Sequence, residues 1–213
     1  MVAKVRRLLP PNTKVGHAGT LDPKATGLLI LGLGRATKML GEFLRLNKSY
    51  DCVITLGAVS ETDDSEGPIT PSVASLVPDI DSVRTILKTF SGQITQTPPI
   101  YSAKKQQGVP LYRLARRGQK VSPKPQTINI YEVDLKRYKY PELALTITCS
   151  SGTYIRAIAR DIGVALKTGA YLMALRRTSI GPFSVEGAMA MDELSIEKIN
   201  KVLLSSDTAI AQI

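Results

Sequence analysis

Two long runs of strand-forming residues constrain the fold of this chain more than any other feature. Residues 126–138 and 143–150 are rich in β-branched and aromatic side chains, and the short segment YPE joins them. Strand-like runs that are separated only by a short turn usually pair as antiparallel neighbours. The sequence therefore predicts an antiparallel pair, and a sheet must form around it.

The remaining elements follow from apolar spacing and from breaker residues. Further strands are predicted over residues 28–33, 48–56 and 171–179, and helices over residues 2–9, 36–44, 83–90, 109–117, 153–166 and 195–204. Residues 60–67 carry four carboxylates and are predicted to be a solvated loop. Because strands and helices mix without regular βαβ alternation, we expect an α+β fold, with a mixed, largely antiparallel sheet flanked by helices.

Composition excludes several classes of protein. No window approaches the ~18 uninterrupted apolar residues of a membrane span, and the N-terminus lacks the apolar core of a signal peptide. The chain has one histidine and two cysteines, Cys52 and Cys149, each inside an apolar strand-like run. These residues provide no ligand set for zinc, and no carboxylate cluster has the spacing of a calcium loop. We expect a cytoplasmic protein with no metal and no membrane contact.

The positive charge of the chain is concentrated in one region. The formal net charge is +10, and residues 82–131 contain no Asp or Glu. A long stretch of one sign in a basic protein favours a polyanionic partner, and nucleic acid is the first candidate. The basic residues of this stretch are Arg84, Lys88, Lys104, Lys105, Arg113, Arg116, Arg117, Lys120 and Lys124.

A glycine-rich segment near the N-terminus has the composition of a functional loop. Residues 14–38 read KVGHAGTLDPKATGLLILGLGRATK and include the only histidine, His17. Pro23 fixes its own φ and keeps Asp22 out of the helical region. An isolated Asp-Pro pair is usually just a turn former. Here polar side chains crowd a short loop ahead of an apolar run, which is typical of a site, and the loop is predicted to orient the Asp22 carboxylate.

The segment GHAGTLDPKATGLL resembles the catalytic motif of the tRNA pseudouridine synthase B (TruB) family. Other family-like segments follow in the expected order: KSYDCVITLG at 48–57, PPIYSAKKQQGVPLYRLAR at 98–116, CSSGTYIRAIARDIG at 149–163 and LRRTSIGPF at 175–183. The resemblance implies a pseudouridine-synthase-like catalytic domain over residues 1–213. It implies conversion of uridine 55 in the T loop of tRNA to pseudouridine, without cofactor, by what we expect to be a monomer.

The resemblance also implies roles for individual residues. Asp22 is the nucleophile, Arg156 its charge partner and Tyr50 the residue that stacks on the target base. The residues expected to contact the substrate around them are His17, Gly19, Thr20, Tyr154 and Leu175. Positive charge, rather than the resemblance, suggests the residues that contact the RNA backbone: Lys104, Lys105, Arg113, Arg116, Arg117, Arg176 and Arg177.

The chain departs from the family pattern at its ends, and two other functions remain open. Family members usually begin with a strand and a DKPxGxTS-like segment, and many carry a C-terminal RNA-binding module. We expect this chain to lack both, as a fragment or through a mis-assigned start. One alternative is a catalytically inactive RNA-binding or chaperone-like protein. The other is an enzyme that binds a nucleotide cofactor, since Gly32, Gly34 and Thr37 follow a strand and open a helix, although the third glycine of that motif is missing.

Overall fold

The computed structural model describes residues 1–72, 77–119 and 121–213, so the predicted basic residue Lys120 lies outside the described residues. The chain forms two compact units: unit 1 contains Met1–Ser49 and Arg176–Ile213, and unit 2 contains Tyr50–Leu175. Each change of unit lies inside a strand rather than in a linker. A single catalytic domain over residues 1–213 stays a prediction.

The helices are short. The α-helices are α1 (Val2–Leu8), α2 (Leu40–Arg45), α3 (Ile80–Lys88), α4 (Leu111–Arg116), α5 (Ile155–Ala165), α6 (Ile196–Val202) and α7 (Ser206–Ile210), and Gly34–Met39 and Val185–Gly187 are 3-10 helices. Side-chain caps begin several of them. The Asp79 carboxylate, for example, accepts a hydrogen bond from the Ser82 N–H at 2.7 Å at the start of α3. None of the helices in the described residues is long and apolar enough to cross a membrane.

The strands build one large sheet and several small ones. They are β1 (Val15–His17), β2 (Thr26–Gly27), β3 (Leu31–Leu33), β4 (Lys48–Leu56), β5 (Ala58–Ser60), β6 (Ile69–Pro71), β7 (Gly92–Gln96), β8 (Lys105–Gln106), β9 (Val109–Pro110), β10 (Gln126–Lys139), β11 (Glu142–Cys149), β12 (Ala170–Ile180) and β13 (Phe183–Ser184). Within the described residues the large sheet has seven strands in the order β13–β12–β4–β11–β10–β7, and β2 pairs with β12. Its β12–β2 pair is parallel and its β10–β11 pair antiparallel, so the predicted α+β class with a mixed sheet is confirmed.

The core of unit 2 lies under the sheet. Alternate residues of β4 and β11 are buried, as expected for strands with one face against a core. Helix α5 packs on this face with Ile155, Ile158 and Ile162, each 3% exposed or less. A Cβ atom at Gly163 would lie 2.3 Å from the Ala170 nitrogen, so only glycine allows helix and strand to approach this closely. Burial raises the pKa of the Cys52 thiol on β4 to about 12, as expected for an unreactive core thiol.

Unit 1 has its own smaller core. Val5 of α1, Val15 of β1 and Ile199 of α6 are buried together. The rings of Phe43 and Phe183 pack with their centroids 5.7 Å apart. This core supports the hairpin formed by β1 and β3, from which the Asp22 loop extends.

The structure corrects several predicted boundaries. Only the end of the predicted strand 28–33 is a strand, β3, and residues 28–30 are not in a strand. A separate short strand, β2, precedes them at residues 26–27. The predicted helix 36–44 is a 3-10 helix followed by α2, and strand β7 was not predicted. The predicted helix 153–166 begins later, as α5, with Tyr154 at its N-cap, and the Thr153 hydroxyl donates to the Ser150 carbonyl at 2.9 Å.

Candidate active site

The Asp22 loop connects two paired strands of unit 1. Strands β1 and β3 are antiparallel, and the Ala18 N–H donates to the Ile30 carbonyl at 2.9 Å, which closes the base of the loop. At its tip the Ala25 N–H donates to the Asp22 carbonyl at 2.9 Å. Asp22 is thus the first residue of a β-turn with proline in second position, a common arrangement for Asp-Pro. Its side chain is half-buried.

A buried arginine fixes the shape of this loop. Arg177 is 2% exposed. Its Nε donates to the Leu28 carbonyl at 2.8 Å and its Nη2 to the Gly19 carbonyl at 3.0 Å, one on each side of Asp22. The Leu28 N–H in turn donates to the Arg177 carbonyl at 2.8 Å, in line with the parallel pairing of β2 with β12.

Gly27 makes room for this arginine, and Gly19 supplies a backbone conformation that a side chain rarely adopts. A Cβ atom at Gly27 would lie 2.2 Å from the Arg177 carbonyl oxygen, and at Gly19 it would lie 3.4 Å from Nη1. Both glycines have positive φ, at 99° and 91°. Side chains rarely adopt this backbone conformation, and glycine does so at no steric cost. The glycines that make the segment recognisable are therefore those that let the loop close around Arg177.

The residues predicted to contact the substrate belong to both units. In unit 1, His17 and Thr20 are exposed and Gly19 is half-buried. In unit 2, Tyr50 is 8% exposed within the core cluster, and Tyr154 and Leu175 are half-buried. Their roles towards a substrate remain predictions.

Arg156 is held in the first turn of α5 by acceptors within unit 2. It is 6% exposed. Its Nη1 lies 3.3 Å from Asp64 Oδ2 and donates to the Thr62 carbonyl at 3.1 Å, and its Nη2 donates to the Tyr101 carbonyl at 3.1 Å. Asp64 thus supplies a carboxylate partner that the sequence did not reveal, and the predicted pairing of Arg156 with Asp22 stays a prediction.

The acidic segment 60–67 is not the solvated loop that was predicted. Asp64 is 8% exposed, and its Oδ1 accepts from the Thr62 hydroxyl at 2.6 Å and the Glu66 N–H at 2.9 Å. The neighbouring Asp63 pairs with Arg160 at 2.9 Å. Only Glu61 and Glu66 project into solvent. The available signal was Arg156 and Arg160, four residues apart in a mostly apolar helix, because a guanidinium close to the core is often compensated by an acidic partner.

Burial and the nearby arginines act on the pKa of Asp63 in opposite directions. Burial raises the pKa of the Asp63 carboxyl, and this effect outweighs the lowering of the pKa by Arg160 and Arg156. Arg160 also donates to Asp161 and to the Thr97 carbonyl, each at 2.9 Å. The guanidinium is therefore shared among three acceptors.

Gln96 is a further residue that sequence reasoning missed. It is fully buried at the end of β7. Its Nε2 donates to the Tyr154 carbonyl at 3.1 Å and its Oε1 accepts from the Tyr154 N–H at 2.9 Å. The side-chain amide thus pairs with the main chain of the residue that caps α5, and so fixes where the helix bearing Arg156 begins. The strand GQITQ carries two glutamines, and nothing in its sequence distinguishes the buried Gln96 from the exposed Gln93.

The basic residues predicted to contact RNA differ in their exposure. Lys105, Arg113, Arg116, Arg117 and Arg176 are exposed. The guanidinium carbons of Arg113 and Arg116 each lie 5.9 Å from the Tyr112 ring centroid, a cation–π distance.

Two of these predicted contacts look different in the structure. Lys104 is half-buried and donates to Gln126 Oε1 at 2.7 Å. Arg177 is buried and bonded to loop carbonyls. Its guanidinium is therefore turned into the protein rather than towards a phosphate in solvent.

The described residues contain no group of three or more His, Cys, Asp or Glu side chains that could hold a metal ion.

The glycines that suggested a nucleotide cofactor do not lie in the arrangement that such a site uses. Gly32 pairs with Gly16 in an antiparallel register, and Gly34 opens a 3-10 helix that the Thr37 hydroxyl stabilises by donating to the Gly34 carbonyl at 2.8 Å. Dinucleotide sites instead use a parallel strand followed by an α-helix.

The fold is of the pseudouridine-synthase type. The chain is similar over its whole length to a chain in the crystal structure of a Cbf5–Nop10–Gar1 complex, with a TM-score of 0.73 and 26% identity, and it covers 56% of that chain. A family model described as the TruB family pseudouridylate synthase N-terminal domain matches residues 6–155. A second, described as the tRNA pseudouridylate synthase B C-terminal domain, matches residues 156–211.

Relatives with curated names agree with these matches. The chain is 42% identical over 215 residues to a tRNA pseudouridine synthase B of Syntrophotalea carbinolica, covering 100% of this chain and 70% of the relative. It is 46% identical over 183 residues to a tRNA pseudouridine synthase B of Francisella philomiragia, covering 85% of this chain and 60% of the relative. The chain belongs to the TruB family, and it spans between 60% and 75% of the length of such relatives.

Proposed function

We propose that this protein isomerises uridine to pseudouridine at position 55 in the T loop of tRNA. The observation that carries the proposal is the Asp22 loop: its motif is intact, its turn is closed, and Arg177 fixes its carbonyls on both sides of the aspartate. Membership of the TruB family supports the same activity.

The reaction breaks the bond between N1 of uracil and C1′ of ribose and forms a bond between C5 and C1′. The proton on C5 is lost to solvent and N1 gains a proton, so no cofactor is required. The Asp22 carboxylate acts as nucleophile, towards either C1′ of the ribose or C6 of the base. Arg156 supplies positive charge and Tyr50 stacks on the base, while His17, Gly19, Thr20, Tyr154 and Leu175 line its surroundings.

The substrate base must leave its stack before any group can reach it, and this costs a few kcal/mol. Phosphate contacts from exposed basic residues offset that cost. The exposed set on and near α4, together with Arg176, has the charge for this role. Specificity for the substrate RNA then comes from the shape of the T loop. We expect the affinity for RNA to fall steeply with salt.

The assignment is tested by releasing tritium from a T-loop hairpin labelled at C5 of uracil. We expect the parent chain to release tritium and Asp22→Asn to release none above background, because an amide is not a nucleophile here. Asp192→Asn is the matched control, since Asp192 is an exposed aspartate of unit 1, and it should release tritium at the parent rate. Equal release by the parent and Asp22→Asn would remove Asp22 from the mechanism.

The same experiment addresses the main alternative. A parent chain that binds the hairpin but releases no tritium would be an RNA-binding protein without turnover. Within the proposed function the protein acts in the cytoplasm, as a monomer with a single catalytic domain. Sedimentation of the purified chain with and without the hairpin would test the monomer.

A further inference from the structure

We infer that Arg177 is the positioning residue of the Asp22 loop, and that its guanidinium sets where the carboxylate of Asp22 lies. This inference rests on the proposed function for its catalytic consequence. Its structural part stands on the contacts of Arg177 alone.

The guanidinium of Arg177 has two main-chain acceptors in the Asp22 loop. Arg177 binds the carbonyls of Gly19 and Leu28, which lie before and after Asp22 in the loop. Both acceptors belong to the main chain, so the side chain bridges two separate points of the loop. The Asp22 turn is the part of the chain between these two fixed carbonyls. A shift of either carbonyl is therefore transmitted to Asp22.

The main chain of Arg177 also contacts the Asp22 loop. The Arg177 carbonyl accepts from the Leu28 N–H at 2.8 Å, and Gly27 lies opposite Arg177 in the parallel register. A Cβ atom at Gly27 would lie 2.2 Å from the carbonyl oxygen of Arg177 and 2.7 Å from its nitrogen. Main chain and side chain of one residue thus hold the same loop, and glycine is needed for that approach.

The positive charge of Arg177 is buried. Among the described residues no carboxylate is ion-paired with Arg177, which is 2% exposed. A buried guanidinium without an anion is costly, and carbonyl acceptors compensate for it only in part. An apolar residue would fill this space without that cost. A planar group with donors in a rigid fork, however, bonds two separate carbonyls at once, which the single ammonium of lysine does less well.

The test combines loop dynamics with single-turnover chemistry in Arg177→Lys and Arg177→Met. We expect the amides of residues 18–29 to exchange with solvent deuterium about tenfold faster in Arg177→Lys than in the parent. Tritium release by saturating enzyme should fall about 100-fold, as expected when a reacting group is misplaced by about 1 Å. The Kd for the T-loop hairpin should stay within about threefold, because a buried side chain does not contact the RNA. Arg177→Met should show larger effects of the same kind, and Arg177→Lys decides the test if the methionine variant does not fold.

The matched control is Ile180→Ala, which opens a cavity in the same strand at a fully buried residue. It should lower Tm yet leave loop exchange and the rate per folded molecule unchanged. Three results would overturn the inference: parent-like loop exchange in Arg177→Lys, equal acceleration of loop exchange in Ile180→Ala, or a Kd that weakens in step with the rate. If the parent itself releases no tritium, the proposed function fails, and loop exchange alone decides the positioning role.

Discussion

Two buried arginines, one in each unit, are held in different ways. Arg156 in unit 2 has a buried carboxylate partner, Asp64, in addition to the carbonyls of Thr62 and Tyr101. Arg177 in unit 1 donates to the carbonyls of Gly19 and Leu28, and no ion pair to it is found in the described residues. The side chains are similarly buried, at 6% and 2% exposure for the whole residues.

The difference shows what each arginine contributes. An arginine that bonds only to carbonyls shapes the main chain around it, at the cost of a buried charge. An arginine with a carboxylate partner has its buried charge compensated by that partner. The comparison predicts that unit 2 depends on an acidic partner, whereas unit 1 depends on main-chain geometry.

The largest expected effect comes from removing that acidic partner. Asp64→Ala removes the Asp64 carboxylate from the buried Arg156 guanidinium, and removing one member of a buried pair costs about 3–5 kcal/mol. We expect a loss of this size in the free energy of unfolding, measured by urea denaturation. Glu66→Ala, at an exposed residue of the same loop, should stay within about 0.5 kcal/mol of the parent. A loss below about 1 kcal/mol in Asp64→Ala would show that the carboxylate is not the main partner of Arg156.

The second prediction concerns the start of α5. Gln96→Leu removes both hydrogen bonds to the Tyr154 main chain and leaves two backbone groups without their side-chain partner. The Tyr154 carbonyl still accepts from the Ala157 and Ile158 N–H groups, so the loss comes mainly from the removed bond to the Tyr154 N–H. We therefore expect the free energy of unfolding to fall by about 1–3 kcal/mol. Gln93→Leu, at an exposed residue of the same strand, is the control and should have little effect. Equal losses in the two variants would contradict a specific role for Gln96.

The third prediction brings the comparison back to unit 1, where a second cation bonds to carbonyls. Lys48 is 6% exposed, and its Nζ donates to the carbonyls of Leu44 at 2.7 Å and Leu46 at 2.5 Å, just at the end of α2. A cation at a helix C-terminus contributes up to about 2 kcal/mol when partly buried. We expect Lys48→Met to lower the free energy of unfolding by about 1–2 kcal/mol. Arg45→Met, an exposed cation in the last turn of the same helix, should cost less than about 0.5 kcal/mol, and the reverse order would disprove the capping role.

The sequence predicted those features that depend on local pattern. The alternation in residues 126–138 and 143–150 gave the antiparallel pair β10–β11, and the glycines and proline around Asp22 gave a closed turn. Both follow from side-chain periodicity and from backbone restrictions, which a single segment contains.

The features that the sequence did not predict depend on contacts between distant segments. Arg177 was predicted to contact RNA because of its charge, yet its acceptors lie about 150 positions earlier in the chain. The pairing of Asp64 with Arg156 likewise joins a loop to a helix far along the sequence. Charged side chains can form their hydrogen bonds and ion pairs with solvent or with groups in the protein interior. Sequence pattern alone does not distinguish the two. The acidic segment 60–67 was misjudged for this reason.

The smallest expected effect concerns pH and the pair formed by Asp63 and Arg160. Because burial raises the pKa of Asp63 in the folded protein above the unfolded value of 3.8, the native state binds the extra proton between these two pKa values. Stability from this group is therefore full below pH 3.8 and is lost as pH rises through the folded pKa. Asp63→Asn removes this titration and keeps a side chain that tolerates the observed φ of 61°. We expect the parent to lose stability relative to Asp63→Asn as pH rises through that window, measured by thermal unfolding in matched buffers. If the parent instead gains stability relative to Asp63→Asn, attraction to Arg160 outweighs burial, and the carboxylate in this loop stabilises its arginine at neutral pH after all.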